Sequence, residues 1–150
     1  MTKSPSAFEP VDLNIAALPH GREDIARMIV KAFADGGFGA PQQLAALANA
    51  IAESGLDPNA ATISSRQEVG LFQLNTATGL GAGHTVAELK DSATNIGLIV
   101  SAAQKVDEFK AAASLEDAVS IFVHKIERPA DPAGQTARRL KIAEQIRRTG

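Results

Sequence analysis

Residues 41–54, PQQLAALANAIAES, contain no charged side chain before Glu53. Read as a helix, this run has no wet face. Leu44, Leu47, Ala48 and Ile51 form one stripe. Ala46, Asn49, Ala50 and Glu53 form the opposite one, which is small and uncharged up to its last member. A helix of this kind needs neighbours on more than one side, so the rest of the chain must be built around it. Pro41 suits the first helical position, where its missing N–H is no loss. Gly55 stops the helix and LDPN turns the chain.

The other segments supply the neighbours. GREDIARMIVKAFADGG places Ile25, Met28, Ile29, Ala32 and Phe33 at helical spacing, with Gly36-Gly37 as the stop. A short helix is expected in 11–18, ended by Pro19. Residues 61–74, ATISSRQEVGLFQL, have a different character and fit a short hairpin or an extended loop. GLGAGH is a flexible connection. Asp91 caps a long helix through SATNIGLIVSAAQKVDEF, Ser114 with Asp117 resembles a capping box before AVSIFVHKI, and Asp131-Pro132 opens a last helix to about Arg147. The expected fold is mainly α with an α+β arrangement: six or seven helices, one small β-like hairpin or loop, a loose arm at 1–10 and a single domain over 11–150.

Composition narrows the function. The 150 residues carry 17 acids and 15 bases, a net charge of −2, which leaves no electrostatic footprint for nucleic acid. The late cluster Arg138, Arg139, Lys141, Arg147 and Arg148 reads as a solvated helix face with cations near its C-terminus, with attraction to an anionic polymer as the alternative. With no cysteine there is no disulfide framework or thiol chemistry. Three histidines without HExxH spacing leave no metal-ligand set, so no cofactor or metal is expected. MTKSPSAFEP lacks the apolar core of a secretory signal, and no run of about 18 apolar residues points to a membrane span.

Glu53 is the residue that this composition does not explain. An anion is unfavourable at the negative end of a helix. Glu53 lies roughly 180° around the helix from Leu44, on the alanine-lined side. Desolvation and the dipole both favour its neutral form. A carboxylic acid kept protonated near neutral pH is what a general acid requires. A surface glutamate at a helix end is the competing reading.

The neighbouring motifs strengthen the first reading. AESGLDPNA followed by VGLFQL resembles the lysozyme-like superfamily of goose-type lysozymes and soluble lytic transglycosylases. ATNIGLIVSAAQK is similar to the Asn-Ile-x-x-Gly helix of the same enzymes, with its glycine one residue after Ile96. AVSIFVHKIERPADPAGQTARRLKIAEQI resembles phage tail lysozymes, in which a Glu-Arg-Pro segment precedes an arginine-rich last helix. Together the matches span about residues 40–148. The resemblance implies a peptidoglycan glycosidase acting on the β-1,4 MurNAc–GlcNAc backbone, with Glu53 as general acid. It implies that Ser54 orients Glu53 or a sugar, that Gly70 lets the backbone approach the sugar, and that Phe72 and Gln73 line the saccharide cleft. Asn95 would face them across it. The implied partners are the bacterial cell wall and other virion proteins, and the implied setting is a phage virion, or the host cytoplasm before release, with action in the periplasm.

This sequence also departs from the pattern. It has no tyrosine, although transglycosylases of the superfamily carry a Tyr-Asn pair late in the chain; here the region reads SIFVH, ending at His124. It has no tryptophan. Glu68 stands where the superfamily often has a small residue. If Glu68 faces Glu53, two carboxylates flank the bond and hydrolysis by water is natural; if not, Glu53 works alone and the sugar's 6-hydroxyl is the nucleophile. The Glu127-Arg128-Pro129 corner is expected to be structural. A non-catalytic glycan-binding or tail-structural domain, and an unrelated helical adaptor, are the alternatives. They are separated from the enzyme by whether Glu53 lies in a cleft beside Gln73, between the 41–54 and 91–109 helices.

Overall fold

A computed structural model describes residues 8–61, 68–127 and 131–148. The first seven residues of the expected arm, residues 62–67 of the expected hairpin segment, and Arg128-Pro129 of the corner lie outside the described residues.

The uncharged helix is α2, Ala40–Ser54, and every residue from Gln42 to Asn49, together with Ala50, is buried. Around it stand α1 (Glu23–Asp35), α6 (Leu115–Ile121) and α7 (Pro132–Ile146). Its alanines let these neighbours approach closely, and its buried glutamines serve as ties. Gln42 Nε2 donates to the carbonyls of Phe109 (2.9 Å) and Ala112 (2.7 Å). Gln43 Nε2 donates to the carbonyls of Phe38 (2.9 Å) and Glu9 (3.1 Å), while its Oε1 accepts from Val11 N. Residues 8–14 are thereby held against the helices: Phe8 N donates to Ala34 O, and Asn14 N to Ile146 O at the end of α7.

The remaining elements form a second side. A two-stranded antiparallel hairpin, β1 (Glu68–Val69) and β2 (Leu74–Asn75), pairs Glu68 with Asn75. After it come α3 (Val86–Lys90), α4 (Ser92–Gln104) and α5 (Asp107–Ala111). Thr85 and Glu88 close a capping box on α3, and Asp91 accepts from Thr94 N to cap α4. α6, capped by Ser114, continues into a π-helical turn, Phe122–Glu127. Seven helices with one small hairpin make the expected lysozyme-like α+β arrangement.

Three local expectations are corrected. The short helix expected in 11–18 is only a 3-10 turn, Ile15–Ala17. The buried stripe of α1 is Ala26, Ile29, Val30, Phe33 and Ala34, one position round from the expected one, and Met28 is exposed. Both registers have helical spacing; the observed one turns two alanines inward, as close packing on alanine-rich α2 demands. The long helix expected from Asp91 breaks at Lys105-Val106 into α4 and α5. The break lets Phe109 enter the core, where Phe38, Phe109, Phe122 and Phe72 pack in series with ring centroids 5.3, 5.5 and 6.2 Å apart.

Candidate active site

Gly55, in the left-handed conformation (φ 61°), ends α2 by donating its N–H to Ile51 O at 2.8 Å. This stop leaves Glu53 in the last turn, one turn after Asn49. Both reach the same partner on α7. Arg139 Nη2 donates to Glu53 Oε1 at 2.9 Å, and Arg139 Nη1 to Asn49 Oδ1 at 2.5 Å. Asn49 is locked in turn by donating Nδ2 to Ala45 O. The Arg139 side chain is only 2% exposed and that of Glu53 20%. The solvated face expected for the late basic residues therefore does not hold for Arg139, which lies on the inner stripe of α7 with Ala143 and Ile146.

Two effects oppose each other at Glu53. Burial raises its pKa, and this is the largest influence; the Arg139 charge and hydrogen bond lower it, and the Glu68 charge raises it again. The net direction is upward. A second acid belongs to the same field. Glu127, on the π-helical turn, is half-buried as a residue, but its Oε1 is closed to solvent and has no hydrogen-bond partner. Burial first, then the Glu53 charge, push its carboxyl well above the ordinary carboxylate range, against Arg139 and with a further push from Glu68. The arrangement is a carboxyl held by one buried arginine at the partly open end of an apolar helix, with the Glu68 charge acting on it and on Glu127. Among the described residues, no group of three or more His, Asp and Glu side chains could hold a metal ion. A surface hollow of about 440 Å³ beside Ala40, Pro41 and Leu44 is at the other end of α2 and is separate from this site.

The other residues singled out in the sequence support the hairpin beside Glu53. Ser54 Oγ donates to Ala50 O (3.0 Å) and Leu71 O (2.8 Å), fastening the end of α2 to the hairpin. Gln73 holds a left-handed backbone (φ 51°) and donates Nε2 to the carbonyls of Ala60 and Gly70. Phe72 is fully buried, so its ring offers no face to a sugar. Asn95, also fully buried, donates Nδ2 to Val69 O (3.0 Å) and Leu89 O (2.9 Å) and accepts from Phe72 N (3.0 Å). Its place is behind the hairpin, not across a cleft. Gly70 (φ 82°) makes a close approach too, but to this latch: a Cβ there would strike Leu89 O and the Asn95 amide. Glu53 is met from α7, not from α4 as the expected cleft required. Of the chain's six phenylalanines five are buried and Phe8 lies beside Ala34 and Gly39, so none of them offers a ring face at Glu53. Asn95→Ala is expected to lower unfolding free energy by about 2–3 kcal/mol in urea titrations, because three buried backbone groups lose their partner.

A small hairpin is fastened to the end of a central apolar helix, with a half-shielded glutamate at the junction; the class, a lysozyme-like enzyme that acts on peptidoglycan, is given by a family match. The chain belongs to the phage tail lysozyme family, whose model matches residues 24–149. No curated protein matches the chain, and no solved structure does. Sequence reasoning missed Asn49, Arg139 and Glu127. Asn49 is four residues before Glu53 on one helix face, and Arg139 falls four and seven residues before the buried Ala143 and Ile146; both spacings were available as signals.

Proposed function

We propose that residues 11–150 act as one unit that cuts the β-1,4 MurNAc–GlcNAc backbone, with Glu53 as general acid and the enzyme borne on the virion with other tail proteins. The observation that carries this reading is the setting of Glu53: a carboxyl at the open end of a buried helix, with its pKa raised by burial and its orientation fixed by a buried arginine. Glu53 protonates the glycosidic oxygen, the C1–O bond breaks towards that oxygen, and positive charge builds on the ring. Glu68, whose charge is felt at Glu53, is the second carboxylate: it faces the cation or activates the incoming water. Gln73 and Ser54 keep the hairpin wall at its distance from Glu53. Mass analysis of muropeptides after digestion of purified cell wall tests the reading. Reducing-end products are expected. Anhydro-sugar ends would remove Glu68 from the chemistry, and no released muropeptides would overturn the assignment.

A further inference from the structure

Asn49 is the residue of α2 that its surroundings account for least. It is fully buried, with Ala45, Ala46, Ala48 and Ala50 for neighbours along the helix. An amide there is worse for the helix than alanine, and its burial is costly unless both its polar ends are bonded. Both are. Nδ2 donates to Ala45 O at 2.7 Å, and Oδ1 accepts from Arg139 Nη1 at 2.5 Å. A carbonyl only accepts and a guanidinium only donates, so the amide has one orientation and cannot turn over.

Asn49 and Glu53 stand one helical turn apart on the same face of α2. The guanidinium is planar and rigid. It spans the two residues with its terminal nitrogens, Nη1 on Asn49 and Nη2 on Glu53 Oε1 at 2.9 Å. Its Nε is closed to solvent and has no partner among the described residues. Two contacts therefore fix the plane, and both come from α2. Without Asn49 the guanidinium is held at Glu53 alone and can pivot about that contact. The two oxygens of Glu53 are thereby made unlike. Oε1 is taken by Arg139, whereas Oε2 accepts no hydrogen bond from the described residues and is not closed to solvent. A neutral carboxyl whose Oε1 accepts from arginine carries its proton on Oε2.

We propose that Asn49 is a positioning residue for the reaction: by fixing the Arg139 guanidinium it holds Glu53 with Oε1 turned inward and the acidic proton on Oε2, towards the glycosidic oxygen. Burial keeps the neutral form of Glu53 favoured before the step. The Oε2–H bond then breaks as the proton passes to the leaving oxygen, and the C1–O bonding pair goes to that oxygen. Glu53 is left as a carboxylate whose Oε1 is already bonded to a cation. The full ion pair thus forms as the bond breaks, against a donor that needs no reorganisation. The attacking hydroxyl returns its proton to Glu53.

This inference rests on Glu53 being the general acid, and its test separates the two. Asn49→Leu keeps the branched shape and removes the acceptor for Nη1. Asn49→Ala removes the same acceptor without crowding and is read in its place should thermal melting show that the leucine variant does not fold. Each is assayed beside wild type and Glu53→Gln on native glycan and on a nitrophenyl oligosaccharide, whose phenolate leaves without a proton. On native glycan, kcat of the folded Asn49 variant should fall about ten- to a hundredfold, the effect of a misplaced reacting group, with KM little changed. On the activated substrate it should stay within about threefold of wild type, because no proton is required there. A merely structural role would lower both rates alike. A folded Asn49 variant with wild-type kcat on native glycan would overturn the positioning role. So would equal deficits on both substrates while Glu53→Gln is slow on native glycan alone; either result leaves the general acid standing. Glu53→Gln equally slow on both substrates would instead refute the general acid, and the positioning role with it.

Discussion

Glu53→Gln is expected to reduce lysis of cell-wall suspensions by about 10²–10⁴-fold, the range that general acid catalysis supplies, with melting within a few degrees of wild type. The amide keeps the length and a carbonyl oxygen for Arg139 Nη2, so the hydrogen bond at the end of α2 survives in neutral form. Arg139 retains Asn49. The proton donor is lost. Lytic activity within threefold of wild type would remove Glu53 from the chemistry.

Arg139→Met should be the most destabilising single change in the site. The methionine fills much of the space but leaves Glu53 and the Asn49 carbonyl without their donor, and it removes the charge that opposes the raised pKa of Glu127. Breaking a buried ion pair by removing one partner costs about 3–5 kcal/mol. For a chain of this size that is on the order of 10 °C or more in Tm. The loss has a direction in pH. Both carboxyls have pKa values raised by the fold, so the folded state binds their protons more tightly than the unfolded state does. Their favourable contribution is fully present below the ordinary carboxylate range and disappears as pH rises through the folded values. Without Arg139 the folded values rise further, and the deficit of the variant should grow from acid to alkaline conditions. Urea unfolding at several pH values reads this directly. A deficit under about 1 kcal/mol, or one independent of pH, would mean that Arg139 is not the counter-ion of Glu53.

The architecture was largely legible because α2 leaves so little choice. A helix without a wet face has to be central, and its stop at Gly55 places Glu53 at the edge of the core. Caps at Asp91, Ser114 and Asp131 located three helix starts. What was not legible is the use of polar groups inside. A charged residue in an arginine-rich helix is by default a surface group, and only the inner stripe of α7 singles out Arg139. Glu127 was hidden for another reason: it is the last residue of a π-helical turn, whose wider period moves side chains off the faces that a 3.6-residue repeat assigns. Phe72 and Asn95 were located correctly along the chain but assigned to the wrong side of the hairpin. Phe72 lies in the tight turn between the strands and Asn95 in α4, where hydrogen bonds from Asn95 to the hairpin backbone turn both inward.

The demand for a proton from Glu53 is tested most directly by changing the leaving group. A peptidoglycan-like oligosaccharide carrying a nitrophenyl aglycone breaks its bond without protonation, because the phenolate leaves unaided. If Glu53 is the general acid, Glu53→Gln should be about 10²–10⁴-fold slower than wild type on native glycan, yet within about tenfold of it on the activated substrate. The same large deficit on both substrates would show that Glu53 serves binding or structure and does not deliver the proton.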